Sequence, residues 1–231
     1  MKLEKVTHSG KTTEKRWYDD ACGTALALEF LGERWSMLIM RELMFGARRF
    51  GEIKANLPGI SANVLTQRLE GLERAGILVK RKLPSHTSVQ VYELTPWGAM
   101  TEPIFQEMGR WAVRSRRHDP TLFLSPASAM LSLRTMIDPE KARGDRMTLA
   151  FRFPTDAFVG ELADGELAIR RGETDAADVT FATDTTTFVA TVYGKRPFAD
   201  SEAAGLLSLE GDREAAARFV DLFALPEKVA D

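Results

Sequence analysis

Three uncharged polar side chains, Asn63, Thr66 and Gln67, stand near the start of a predicted helix in the stretch GISANVLTQRLEGLERAG, residues 59–76. Leucines at helical spacing predict that the opposite side of this helix is buried. Amides and hydroxyls near the start of a helix suit the reading of base edges in a DNA major groove. The competing interpretation is an ordinary solvated face that lacks charge. The leucines of the buried side are Leu65, Leu69 and Leu72.

Basic residues surround this helix in the sequence and favour the DNA interpretation. Arg48 and Arg49 begin the preceding helix, where cations and backbone N–H groups together can hold a phosphate. A cationic strand and a polar loop follow the helix. Each basic residue alone is expected to be solvated, but their arrangement around one helix favours contacts with backbone phosphates. The predicted DNA-contacting residues are Arg48, Arg49, Ser61, Asn63, Thr66, Gln67, Arg68, Lys80, Arg81, Lys82, Ser85, His86 and Thr87.

The elements that must position these residues follow the order of a winged helix-turn-helix. Three helices come first: one stops at Gly32, one ends before Gly46, and a short one ends at the Pro58–Gly59 turn. Ser61 and Gly76 are natural caps for the fourth helix. Two runs of alternating polarity, ILVKRKLP and VQVYELT, then predict a pair of antiparallel strands joined by a polar loop.

A long helix beginning at Pro96 is predicted after the strands. One side of it is apolar, and this stripe is expected either to pack onto its own domain or to contact a second copy of the chain. The pattern leaves both alternatives open. The stripe comprises Trp97, Met100, Ile104, Met108 and Trp111.

Composition excludes several classes of protein. Apolar residues make up 44% of the 231, which is enough for a packed core, yet no apolar run is long enough to span a membrane. One cysteine cannot form an internal disulfide, and with three scattered histidines it makes a zinc site improbable, so a cytoplasmic protein without a metal or cofactor is expected. The sequence has no catalytic motif such as GxSxG, HExxH or a phosphate-binding loop, so enzyme activity is not expected.

The charge is divided unevenly along the chain. Residues 1–118 hold 19 Lys and Arg against 13 Asp and Glu, whereas residues 119–231 hold 12 against 20. A basic half followed by an acidic half predicts two domains with different partners. We therefore expect a flexible N-terminus over 1–18, a DNA-binding domain over 19–118, and a second domain over 119–231.

The N-terminal half resembles the HxlR-type winged-helix transcription regulators. Four segments carry this resemblance over about residues 20–115: Cys22 thirteen residues before Trp35, RRFGEI, LPGIS followed by VLTQRLEGLERAGI, and YELTPWG. The resemblance implies a homodimer that binds a palindromic operator in double-stranded DNA, with the first and last helices of the domain at the dimer interface.

Cys22 is a possible redox-sensing residue, because some members of that family use a cysteine near this position. A reactive cysteine needs access to solvent and a stabilised thiolate. Cys22 is surrounded in sequence by Ala21, Ala25 and Leu26, with no Lys or Arg adjacent. This pattern predicts a small buried hydrophobic residue with no group nearby to lower its pKa.

The C-terminal half is predicted to be an α+β domain with a mostly antiparallel sheet, so the whole chain is α+β. The Asp164–Gly165 pair predicts a hairpin turn, and Asp212 caps a late helix. The segments FRFPTDAFVGELADGELAIRRG, ADVTFATDTTTFVATVYGKRPF and LLSLEGDREAAARFVDLF resemble the sterol carrier protein type-two fold over about residues 125–225.

That resemblance implies an apolar tunnel for lipids or other apolar molecules, although each aromatic residue alone is more simply explained as core. The expected function is a DNA-binding regulator that senses an apolar effector. The alternatives are a regulator whose C-terminal domain serves only dimerisation or protein docking, and a lipid carrier without DNA function. The candidate ligand-binding residues are Phe151, Phe153, Phe158, Phe181, Phe188, Tyr193 and Phe219.

Overall fold

The computed structural model describes residues 18–83 and 89–230. Its N-terminal part contains the predicted winged helix-turn-helix. The backbone of Arg48 pairs with that of Tyr92 and adds a one-residue bridge to the edge of the two-stranded wing. The elements of this part are α1 (Gly23–Leu31), α2 (Ser36–Leu43), α3 (Phe50–Ala55), α4 (Ala62–Arg74), β1 (Leu78–Leu83), β2 (Val89–Leu94), α5 (Pro96–Ala99) and α6 (Glu102–Ala112).

The predicted long helix after the wing is two helices, α5 and α6. Thr95 caps α5 by accepting a hydrogen bond from the Gly98 N–H at 3.0 Å. The break has a clear cause in the sequence, because Pro103 has no N–H and its ring would collide with the carbonyl of residue 99 in a continuous helix. The helix therefore stops and begins again at Glu102, which places Pro103 in the first turn of α6, where it is tolerated.

The C-terminal part is the predicted α+β unit with a mostly antiparallel sheet. Its five strands lie in the order β5-β4-β3-β6-β7, and only β3 and β6 are parallel. The β4–β5 hairpin turns at Asp164 and Gly165, whose φ angles of 54° and 85° are the left-handed values this turn requires. The elements are α7 (Pro126–Met136), β3 (Arg146–Phe153), β4 (Asp156–Ala163), β5 (Glu166–Arg171), β6 (Val179–Thr183), α8 (Thr185–Val192), α9 (Phe198–Ala203), β7 (Leu207–Gly211) and α10 (Arg213–Asp221).

A packed aromatic core fills the space between this sheet and its helices. Phe151 stacks on Phe181 with ring centres 5.9 Å apart, and Phe188 meets Phe151 edge to face at 5.6 Å. Six of the seven residues expected to line a tunnel pack against one another in this core. Tyr193 lines a cavity of about 750 Å³ outside the core, and Phe153 also borders a shallow surface pocket. The six core residues are Phe151, Phe153, Phe158, Phe181, Phe188 and Phe219.

Helix α7 is the main element that the sequence analysis missed. It lies almost entirely buried and packs against α2, α6, α8 and β5. Ser125 caps it by accepting a hydrogen bond from the Ser128 N–H at 3.1 Å, and Pro126 occupies its first position. Ser-Pro at a helix start is a recognised signal. The helix has no polar side to give it an amphipathic period, and this is why periodicity did not reveal it.

Buried charges join the two parts of the chain. Arg48 Nη2 lies 2.6 Å from Asp156 Oδ2, and Arg171 Nε donates to Asp156 Oδ1 at 2.9 Å. Beside them, Ser125 donates to the carboxylate of the fully buried Glu42 at 2.6 Å. Burial lowers the pKa of Arg171, and the charge of Arg48 adds to this effect, while Asp156 opposes it. Asp156 thus holds a buried cation, Arg48, from the N-terminal part and a half-buried cation, Arg171, from the C-terminal part.

No helix within 18–83 and 89–230 combines the length and the hydropathy that crossing a membrane would need.

Replacing Asp156 with Asn should destabilise the protein by about 3 kcal/mol, since it leaves the buried Arg48 and the half-buried Arg171 without their shared counter-ion. The matched control is Asp164→Asn, which removes the same charge from an exposed pair with Arg146 and should cost less than about 1 kcal/mol. Urea unfolding measures both changes. Equal losses in the two variants would contradict the role given to the buried pair.

Candidate nucleic-acid interface

Helix α4 is held with its leucines inward and its polar residues outward. The Ser61 hydroxyl accepts a hydrogen bond from the Val64 N–H at 3.3 Å and so starts the helix where the sequence predicts. Leu65, Leu69 and Leu72 are all buried in the N-terminal core. Their burial fixes the rotation of the helix about its axis and leaves the opposite side to solvent.

The outward side of α4 carries the predicted reading residues. Asn63, Thr66 and Gln67 are all exposed. The Thr66 hydroxyl donates to the carbonyl of Ala62 at 3.0 Å, so its proton is already used within the helix. The two amides can offer paired donor and acceptor groups, and Thr66 can offer its methyl group. The three side chains form one uncharged surface, which we call the reading ridge.

Arg68, a predicted DNA contact, also makes contacts within the protein. Its Nη2 lies 2.6 Å from Glu33, and its Nε donates to the carbonyl of Arg34 at 3.1 Å. Both partners lie in the turn between α1 and α2. Arg68 therefore ties the reading helix to that turn, and its charge is already paired.

The two arginines before α3 differ in their exposure to solvent. Arg48 was expected to contact phosphate, but in the structure it is only 7% exposed and its guanidinium is bound to Asp156. Arg49 is exposed at the start of α3, as expected. Its backbone N–H donates to the Glu52 carboxylate at 2.8 Å, so the side chain, and not the N–H, is the group able to meet a phosphate.

The wing supplies further cations next to α4. Lys80, Arg81 and Lys82 are exposed on β1, and β1 packs against α4. Arg81 Nε lies 3.1 Å from Glu93 on β2, which partly offsets its charge. The alternation of a strand puts the two lysines on one side and Arg81 on the other. The predicted contacts at the wing tip, Ser85, His86 and Thr87, lie outside the described residues.

Cys22 lies in a setting opposite to the one predicted. It is exposed at the N-cap of α1, whereas the sequence indicated a buried side chain. Hydrogen bonds from the backbone N–H groups of Ala25 and Thr24, and then from the Thr24 hydroxyl, lower the pKa of the thiol. The helix start provides donors that a search for neighbouring Lys or Arg does not detect.

Apolar side chains are exposed along α1, α5 and α6. Trp111 is 77% exposed and Met100 is 74% exposed, so these two side chains of the stripe do not pack onto their own domain. Phe30 of α1 meets Trp97 of α5 edge to face at 5.5 Å, which connects the first helix to the last two. Several large apolar side chains left exposed on neighbouring helices are typical of an interface. We call this set of side chains the apolar stripe; its members are Leu26, Leu28, Trp97, Met100, Ile104, Met108 and Trp111.

Two family models match successive parts of the chain. Residues 30–119 match the HxlR-like helix-turn-helix family, and residues 122–229 match the alkyl sulfatase C-terminal family. The second match differs from the sterol carrier resemblance, which stays unconfirmed.

The curated relatives are named as regulators. The uncharacterized HTH-type transcriptional regulator YvaP of Bacillus subtilis is 42% identical over 87 residues, which are 37% of this chain and 80% of YvaP. The HTH-type transcriptional regulator YodB of the same organism is 41% identical over 86 residues, covering 37% of this chain and 77% of YodB.

Solved structures resemble each part separately. The reduced form of YodB is 37% identical with a TM-score of 0.39, over 42% of this chain and 98% of that one. The sec-alkylsulfatase Pisa1 from Pseudomonas sp. is 25% identical with a TM-score of 0.41, over 46% of this chain. This chain covers only 17% of Pisa1. From the curated relatives, the chain belongs to the HxlR-like helix-turn-helix regulators.

The rate of alkylation of Cys22 by iodoacetamide should reach half its maximum at a lower pH in the folded protein than in the same chain unfolded in urea. The reason is that the N–H groups of Ala25 and Thr24 and the Thr24 hydroxyl stabilise the thiolate only when α1 is formed. Because Cys22 is the single cysteine, mass spectrometry of the intact chain follows it directly. A folded midpoint equal to or above the unfolded one would show that the helix start does not activate the thiol.

Proposed function

We propose that this HxlR-like chain is a cytoplasmic, homodimeric transcription regulator that reads a palindromic operator with α4, and whose C-terminal half binds an apolar small molecule as effector. The observation that carries the proposal is the reading ridge, Asn63, Thr66 and Gln67, exposed on the second helix of a helix-turn-helix. In such motifs this helix enters the major groove, and its N-terminal residues contact base edges. The two regulators named above, at 42% and 41% identity, support the same class.

Contacts with phosphate come from the exposed cations on each side of the ridge. Arg49 precedes α3, and Lys80 and Lys82 share one side of β1. Such contacts set the position and orientation of the protein on the duplex without reading sequence. Arg48 and Arg68 are left out of this set, since both are bound to carboxylates of the protein itself.

A homodimer explains the apolar stripe. Large side chains such as Trp111 and Met100 are costly to leave in water, and burial against a second copy removes them from it. Two reading helices related by a two-fold axis would then contact two half-sites about 10 base pairs apart. This arrangement accounts for a palindromic operator.

The C-terminal half serves the regulator through a ligand and not through a catalytic site. Its aromatic core is packed, so a tunnel through that core does not contribute to the proposal. A separate cavity of about 750 Å³, partly lined by α7 and α8, favours effector binding over plain docking.

Gln67→Ala should relax base preference and cost about 1–3 kcal/mol at the selected site, because a bidentate amide contact to a base is lost. Fluorescence anisotropy with the selected operator and with random DNA of the same length measures the difference. Equal losses on the two DNAs would rule out Gln67 as a base reader.

Arg49→Ala is the matched comparison, since it changes an exposed residue of the same surface. It should lower the affinity for both DNAs alike and reduce the slope of log affinity against log salt concentration by about one unit.

Trp111→Glu should raise the dimer dissociation constant by about 30-fold or more, because losing a central aromatic contact costs about 2 kcal/mol or more at an interface. Leu206→Glu, at an exposed apolar position outside the apolar stripe, is the control and should leave the dimer intact. Sedimentation equilibrium measures both. A wild-type chain that is monomeric at high concentration, or a Trp111→Glu dimer of unchanged affinity, would contradict the proposed interface.

A further inference from the structure

A cavity of about 750 Å³ lies between α6, α7 and α8, with the segment 118–124 along one side. We call it the linker cavity, because this segment joins the helix-turn-helix to the C-terminal part. Its volume falls in the range of small-molecule sites, about 300–1,000 Å³. The cavity is separate from the packed core between the sheet and its helices, since of the core phenylalanines above none lines it.

The walls of the linker cavity are mostly apolar and come from both parts of the chain. Phe105 and Val113 belong to the end of the helix-turn-helix, whereas Leu131, Met136 and Val189 come from α7 and α8. At the cavity's edge, Leu122 and Phe123 are 68% and 58% exposed. An apolar molecule between these walls would bury its own surface and part of these side chains.

The polar groups of the walls include a neutral pair of hydroxyls. The hydroxyls of Tyr193 on the C-terminal side of α8 and Ser132 on α7 are hydrogen-bonded to each other, and both residues line the cavity. Burial raises the pKa of Tyr193, so the phenol keeps its proton at neutral pH. Each hydroxyl has two lone pairs, and the pair has one proton outside its mutual bond. It can therefore donate one hydrogen bond to a ligand and accept others.

The titratable residues that line the cavity already make contacts within the chain. Arg41 donates twice to Glu42, at 3.1 and 2.9 Å. His118 lies 3.4 Å from Lys228 Nζ, and burial, followed by the charge of Lys228, lowers the pKa of the imidazole and favours its neutral form. Asp119 accepts from the Thr121 hydroxyl at 2.6 Å, and this bond lowers the pKa of the carboxyl. An anionic head group entering the cavity would be desolvated without a free counter-charge from Arg41, which is already paired with Glu42.

We propose that the linker cavity binds an uncharged, mostly apolar small molecule whose hydroxyl or carbonyl group hydrogen-bonds the Tyr193–Ser132 pair. This assignment rests on the proposed function in taking the molecule to be the effector, and it adds the place and the chemical class of that molecule.

The location of the cavity connects its occupant to the dimer. Phe105 and Gly109 of α6 and Val113 at its C-terminal cap line the cavity at intervals of four residues. The neighbouring side of the same helix carries Met108 and Trp111 of the apolar stripe. The C-terminal segment also holds the end of α6, since Lys228 Nζ donates to the carbonyls of Val113 and Ser115 at 2.8 and 3.1 Å. A ligand that shifts α6 therefore changes the surface through which two copies would set the spacing of their reading helices.

The test uses the full chain and Nile red, an uncharged, apolar dye with a carbonyl group. Its fluorescence should rise saturably with wild-type protein. Ala190→Phe fills the cavity from α8 and should weaken the binding of Nile red at least about tenfold. The control, Ala203→Phe on the exposed side of α9, makes the same change outside the cavity and should leave Nile red binding unaltered. Circular dichroism and urea unfolding establish that both variants are folded.

Tyr193→Phe provides a second measurement that does not depend on filling the cavity. It removes one hydroxyl and should lower the affinity for Nile red by about three- to tenfold, which is the effect of losing one hydrogen bond. The anionic dye 1-anilinonaphthalene-8-sulfonate should bind at least about tenfold more weakly than Nile red.

Three results would overturn the assignment: saturable binding that a folded Ala190→Phe chain retains, unchanged affinity in Tyr193→Phe, or equal affinity for the anionic dye. Failure of the proposed regulator function looks different. In that case the chain would select no DNA sequence while still binding Nile red in the way described.

Discussion

Burial of three leucines on one side of α4 is the constraint on which the site depends. Leu65, Leu69 and Leu72 are 2% exposed or less, so α4 cannot rotate without exposing them. At about 25 cal/mol for each Å² of apolar surface, exposing even one leucine costs roughly 1.5–3 kcal/mol. The rotation of α4 is thereby fixed with the reading ridge facing solvent. Arg68 adds a second restraint, because its bonds to Glu33 and the Arg34 carbonyl tie the helix to the turn between α1 and α2.

The buried charges and the linker cavity give the two parts of the chain a shared boundary. Asp156 binds two arginines: Arg48, which lies just before α3, and Arg171, which lies on β5. Oε2 of the buried Glu42 has no hydrogen-bond partner within the described residues, so this boundary carries an uncompensated polar atom. Such a boundary is costly to form and sensitive to small displacements. A ligand in the neighbouring cavity acts on elements from both sides of it.

Local patterns predicted most of the fold. The leucine spacing of α4, the cap at Ser61 and the Asp164–Gly165 turn each depend on residues a few positions apart, and the structure confirms them. The break at Pro103 was predictable by the same rules and was missed, as was the Ser125–Pro126 start of α7.

Long-range contacts were beyond such patterns. Arg48 pairs with a carboxylate 108 positions away, so nothing near it in sequence distinguishes it from the exposed Arg49. An alternating pattern of aromatic residues does not reveal whether their side chains enclose a cavity or form a packed core. In this structure Phe151 and Phe181 stack within a packed core. The lowered pKa of Cys22 comes from backbone N–H groups, which every sequence contains, and so depends on where the helix begins.

The most direct test of the reading ridge is selection of bound DNA from a random double-stranded pool by the full chain, at several salt concentrations. The account predicts one enriched sequence with two-fold symmetry and half-sites about 10 base pairs apart. It also predicts that added salt lowers the affinity for random DNA more steeply than it lowers the preference for the enriched sequence. Recovery of DNA without any enriched sequence, at every salt concentration, would contradict it.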